Sequence, residues 1–129
     1  MNVTEKLEEL SKFNATGSDE FGVTRRAFTA ETASASAWLI SEMESLDMTT
    51  HIDPAGNVIG IWDAGSGQAI ALGSHFDSVP NGGLYDGTLG VVSALAAIDY
   101  LRNKNIKPKR PVMLLAFNSE EWAECPMLG

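Results

Sequence analysis

The sequence predicts an α/β fold with a mainly parallel sheet, and three observations carry that expectation. Two continuous apolar runs of strand length, Ala69-Ile70-Ala71-Leu72 and Val112-Met113-Leu114-Leu115-Ala116-Phe117, flank a segment from Gly87 to Lys104. Within that segment Val91, Leu95, Ile98 and Leu101 recur at helical spacing, so strand, helix and strand form a βαβ unit. Apolar runs of this kind are typical of parallel strands covered by helices. A right-handed crossover then brings the loops leaving the carboxyl ends of both strands to one edge of the sheet.

The other elements follow in order. Val3 to Phe13 carries Leu7 and Leu10 with charges between them and predicts a short amphipathic helix, and polar Asn14 to Gly22 predicts a loop. Thr29 is a candidate N-cap, with Glu31 in the first turn, for a helix from about Ala30 to Leu46. Ala35, Leu39, Met43 and Leu46 give that helix its apolar stripe. Asp53-Pro54-Ala55-Gly56 is turn chemistry before a strand over Asn57 to Trp62. Ala64-Gly65-Ser66-Gly67 then reads as a hairpin-type connection into the first apolar run.

With 129 residues, 44% of them apolar, the chain has material for one domain with one core. The net charge of −8 is spread along the sequence, which argues against nucleic acid or an anionic membrane as partner. Lys104, Lys107, Lys109 and Arg110 sit where a helix ends and read as a solvated terminus favoured by the helix dipole. No apolar run has transmembrane length and the start lacks a leader pattern, so a soluble, cytoplasmic protein is expected. The single Cys125 leaves no internal disulfide and reads as a reduced thiol. His51 reads as a surface or strand histidine, and the scattered Trp38, Trp62 and Trp122 as core or interface residues.

The chemistry gathers after the two apolar runs. Gly73-Ser74-His75-Phe76-Asp77-Ser78-Val79-Pro80 follows the first, Leu84-Tyr85-Asp86-Gly87 opens the helix, and Ser119-Glu120-Glu121 follows the second. One imidazole and several carboxylates are the ligand types that zinc and manganese take. His75 and Asp77, two apart in an extended segment, point to one face, where the Asp77 carboxylate can accept the second ring proton and orient the imidazole. Asp86 between glycines could bridge two cations; equally, it could be the N-cap of the helix. Of Glu120 and Glu121, one could bind metal and the other serve as general base, although an isolated Glu-Glu is commonly a solvated loop. Their joint occurrence after successive strands of one sheet favours a metal site.

Five segments carry a resemblance: Gly22-Val23-Thr24-Arg25-Arg26-Ala27-Phe28, Asp53-Pro54-Ala55-Gly56-Asn57-Val58, Gly73 to Gly83, Tyr85-Asp86-Gly87-Thr88-Leu89-Gly90-Val91 and Phe117-Asn118-Ser119-Glu120-Glu121. Together they resemble the hydantoinase/carbamoylase amidases, which include N-carbamoyl-L-amino-acid hydrolases and allantoate amidohydrolases within the two-metal aminoacylases and carboxypeptidases. The chain departs from that pattern at Trp122-Ala123-Glu124-Cys125-Pro126, where relatives show a small residue and then Arg-Phe.

The resemblance implies that His75 binds one metal, Asp86 bridges both, Glu121 binds the other, Glu120 is the general base and Asp77 orients His75. It further implies a partial three-layer αβα zinc-exopeptidase-like catalytic domain. On that reading residues 1–129 are its N-terminal part, and the C-terminal part and dimerisation domain lie outside the chain. Two divalent ions, zinc or manganese, an N-carbamoyl or ureido substrate and a homodimer are implied for the full-length enzyme, and inactivity for the fragment alone. The alternatives are a two-metal peptidase or deacylase of the larger group, and a truncated, non-catalytic metal-binding or interaction module.

Overall fold

The computed structural model describes residues 1–17 and 22–121, so the expectations for Trp122 and Cys125 lie outside the described residues. Three helices and four strands follow in the order α1 (Val3–Ser11), α2 (Ala30–Ser45), β1 (Thr49–Ile52), β2 (Val58–Trp62), β3 (Ile70–His75), α3 (Thr88–Asn103) and β4 (Val112–Phe117). Helix α1 starts where the Asn2 side chain accepts the Thr4 N–H at 3.0 Å. Thr29 caps α2 in an extended conformation, its own N–H donating to Thr32 Oγ1 at 3.0 Å. The apolar stripe of α2, Ala35, Leu39 and Met43, is fully buried.

The strands lie in the order β1-β2-β4-β3. The βαβ unit is present, with β3 and β4 parallel and in register from Ile70↔Val112 to His75↔Phe117. The other two ladders, β1 with β2 and β2 with β4, are antiparallel, so the sheet is mixed and not mainly parallel. An apolar run reads the same in either direction, and the direction of β2 is set by long-range pairing that periodicity does not encode. The Ala64–Gly67 connection is likewise not a hairpin. Ser66 N–H donates to Lys109 O at 3.0 Å, which leads the chain past β4 and leaves β4 between β2 and β3. The hairpin is instead at Asp53–Gly56, joining β2 to the short strand β1, which carries an exposed His51.

Glycine positions fix which face the helices cover. A side chain at Gly60 would meet Met43 of α2, and one at Gly90 of α3 would meet Ser74 of β3. Gly60 is paired with Leu114 and Leu114 with Leu72, so α2 and α3 lie on the same face of the sheet. Helix α1 packs on α3 and adds Leu7 and Leu10 to a core that includes Val58, Leu95, Ile98 and Leu114. Among the described residues there is therefore one helix layer on one sheet. The opposite face presents Ile59, Ile61, Met113, Leu115 and Phe117, all only partly buried.

Candidate metal centre

Parallel pairing of β3 and β4 puts both strand exits on one rim, and Phe76 N–H extends the ladder one step by donating to Phe117 O at 3.0 Å. His75 ends β3 with its ring largely buried. Nδ1 lies 3.1 Å from the backbone carbonyl of Asp77 and 3.6 Å from its Oδ1. Nε2 points the other way, 3.6 Å from Asp86 Oδ1 and 3.8 Å from Glu120 Oε2. The ring rests against Gly87, where any side chain would collide with it. Gly87 also has φ +66°, a conformation that favours glycine.

Asp77 has no solvent exposure, and its carboxylate does more than face the histidine. Oδ1 accepts the Glu120 N–H and Oδ2 the Glu121 N–H, each at 3.2 Å. One buried carboxylate therefore ties the exit of β3 to the loop after β4. The imidazole Nδ1 thus faces both oxygens that Asp77 offers, the backbone carbonyl more closely than the carboxylate. Asp86 is not the N-cap of α3; Gly87 holds that position, and the Asp86 side chain is left largely exposed beside His75.

The local fields match this packing. The Asp77 carboxylate, with help from Glu120, pushes the His75 imidazole up to about 9 despite the opposing effect of burial. For Asp77, burial favours the neutral acid, but His75 and the two Glu N–H groups outweigh it and hold the carboxyl below its ordinary range. The Glu121 carboxyl is pushed up, first by burial and then by the Asp86 carboxylate next to it. Three donors, from His75, Glu120 and Glu121, lie within 4.8 Å of one another. An imidazole nitrogen and crowded carboxylates, one of them resisting ionisation, form a donor set that fits a divalent cation.

Sequence reasoning missed the residues that hold this rim from behind. Asn57 is buried; its Oδ1 accepts the Asn118 N–H at 2.9 Å, and its Nδ2 donates to Asp53 Oδ2 at 2.8 Å. Asp53 Oδ1 also accepts the N–H groups of Ala55 and Asn57. The Asp53–Asn57 turn thus clasps the first residue after β4, two positions before Glu120. Arg25 is also buried, donating through Nε to Phe76 O at 2.6 Å. The turn residues were legible as a turn, but nothing in their spacing pointed to a partner sixty positions away.

Residues 57–128, more than half of the chain, match peptidase family M28. An N-carbamoyl-L-amino-acid amidohydrolase of Paenarthrobacter aurescens is 40% identical over 123 residues, which cover 94% of this chain and 29% of that protein. An allantoate amidohydrolase of Bacillus subtilis is 34% identical over 128 residues, covering 98% of this chain and 31% of that protein. Among solved structures, a hydantoinase/carbamoylase family amidase from Burkholderia ambifaria superposes with a TM-score of 0.85 at 26% identity, covering 92% of this chain and 29% of that one. The chain spans less than a third of the length of these relatives.

Proposed function

We propose, from the premise that this chain belongs to peptidase family M28, that it forms the N-terminal part of the catalytic domain of an amidohydrolase. The bond cleaved is a linear C–N bond in an N-carbamoyl or ureido acid, the class named in its N-carbamoyl-amino-acid and allantoate relatives. The observation that carries the reading is the meeting of His75, Asp86, Glu120 and Glu121 at one rim over the buried Asp77.

His75, Asp86 and Glu121 would hold two divalent ions, zinc or manganese, with Asp86 shared between them. Such ions, when bound, supply Lewis acidity and make water acidic enough to react near neutral pH. Glu120, exposed beside the His75 ring, takes the proton of the attacking water and passes it to the leaving nitrogen as the C–N bond breaks. Asp77 aims His75 and anchors the backbone of both glutamates. Three metal-holding side chains cannot complete two sites of about four ligands each. The rest of the catalytic domain, a dimerisation domain and a cytoplasmic homodimer belong to the same proposal.

Calorimetric titration of the chain with zinc or manganese tests it. Weak or partial binding that disappears in His75→Ala, without hydrolysis of an N-carbamoyl amino acid, is expected. Tight binding of two ions, or turnover by this chain alone, would refute the division of the site. A peptidase reading is favoured by the family name alone, and faster cleavage of dipeptides than of ureido acids by the longer protein would select it.

A further inference from the structure

We infer that Arg25 is a positioning residue that holds the His75–Asp77 pair in place from behind, through the Phe76 carbonyl between them. Arg25 is among the largest fully buried side chains of the molecule. Its guanidinium forks between two structures: Nη1 donates to Leu10 O at 2.9 Å and Phe13 O at 3.3 Å at the end of α1, and Nε donates to Phe76 O at 2.6 Å. The Phe76 peptide is the one step of backbone that separates the imidazole from the carboxylate. Pinning its carbonyl fixes where both neighbours leave the chain.

The backbone of Arg25 closes the other side of Asp77. Its N–H donates to Ser78 Oγ at 2.9 Å, the Ser78 N–H donates to Arg25 O at 2.9 Å, and Ser78 Oγ donates to Val23 O at 2.8 Å. Phe76 and Ser78, the residues flanking Asp77, are therefore both held by Arg25. The guanidinium also attracts the Asp77 carboxylate, so the arrangement offers that buried anion an internal counter-charge. Lysine has the charge but not the planar fork that reaches Phe76 and α1 together, so the exchange is not conservative here.

The functional meaning of this inference rests on His75 being a metal ligand, but its geometry is testable without metal. In the metal-free chain at one fixed pH, NMR resonances of the His75 ring are compared among wild type, Arg25→Lys, Ser78→Ala and Met43→Ala. Met43→Ala loosens the packing of α2 on Gly60 of β2 and leaves the hydrogen bonds of Arg25 in place; Ser78→Ala is a milder release of the same segment should Arg25→Lys fold poorly. Shifted and broadened His75 signals are expected in Arg25→Lys and, to a smaller extent, Ser78→Ala, with Met43→Ala matching wild type. Co2+ affinity is expected to fall by about 10–100-fold in Arg25→Lys, as for other residues that orient ligands. Unchanged His75 signals in both Arg25→Lys and Ser78→Ala, or equal changes in Met43→Ala, would overturn the inference. Failure of Co2+ to perturb His75 in wild type would count against the metal reading instead, and the metal-free spectra would still decide the role of Arg25.

Discussion

The His75 ring packs directly on the α-carbon of Gly87, so the start of α3 is shaped around the imidazole. Gly87→Ala meets two obstacles at once, the ring and a φ of +66°. Such strained backbone costs about 1–3 kcal/mol, which thermal melts of the metal-free variant will register. Because His75 must also move away, zinc binding is expected to be lost even at temperatures where the variant remains folded. A Gly87→Ala chain that binds zinc like wild type would show that the ring's seat is immaterial.

Glu121 and Asp86 oppose each other across the rim, and the Glu121 carboxyl resists ionisation because of burial and that neighbour. Glu121→Gln removes one of the crowded charges. Its metal-free melting temperature is expected to equal or exceed that of wild type, while zinc affinity falls at least as far as the about 10–100-fold loss that follows removal of a residue hydrogen-bonded to a ligand. Loss of stability together with unchanged zinc affinity would contradict both halves.

Asn57 links the Asp53 turn to the backbone of Asn118, two residues before Glu120. Asn57→Ala leaves a buried N–H on Asn118 without its acceptor and takes a donor from Asp53, at a cost of about 1–3 kcal/mol in denaturant titrations. The loop carrying Glu120 and Glu121 loses its anchor on the β2 side and keeps the one on Asp77, so zinc binding is expected to weaken without disappearing. Undiminished binding would confine Asn57 to a role in stability.

The helices, the strand at Val112–Phe117 and the meeting of His75, Asp86 and Glu121 were legible because each depends on local pattern. A stripe at helical spacing must be buried, and a parallel crossover must return its strand exits to one rim. Strand direction, the pairing of β4 between β2 and β3, and the short exposed strand Thr49–Ile52 were not, since each is decided by partners far away in sequence. The supports at Arg25 and Asn57 escaped for the same reason. A buried arginine and a turn asparagine look like surface chemistry until the backbone groups they serve, Phe76 and Asn118, come into contact with them.

Adjacent residues of β4 should respond very differently to truncation. Leu114 is fully buried under the helices and Leu115 lies on the face no described helix covers. Leu114→Ala is expected to cost about 2–5 kcal/mol by leaving a cavity. Leu115→Ala, removing only part-buried surface, should cost about 1 kcal/mol. Urea denaturation of the two variants measures the difference, and similar losses would mean that the second face is covered as well.

The pH dependence of the metal-free chain follows from the same rim. His75 titrates at about 9 when folded, against about 6.5 in an unfolded chain. Folding therefore favours its charged form, and the stability this supplies is complete below about pH 6.5 and lost as the pH rises towards about 9. Asp77 is depressed, so its contribution is complete above about pH 3.9, the unfolded value, and is lost as the pH falls through the folded one. Glu121, being raised, supplies stability that is complete below its unfolded value of about 4.3 and is lost as the pH rises through its folded one. Thermal melts in chelator are expected to peak between about pH 4 and about pH 6.5 and to decline on both sides, with the alkaline decline reduced in His75→Ala. Zinc affinity runs the other way, because imidazole must be neutral to bind metal and binding releases its proton. Between about pH 6 and about pH 8 the apparent affinity of wild type should rise about tenfold per pH unit from this proton alone. A pH-independent affinity over that range would show that His75 does not give up a proton when zinc binds.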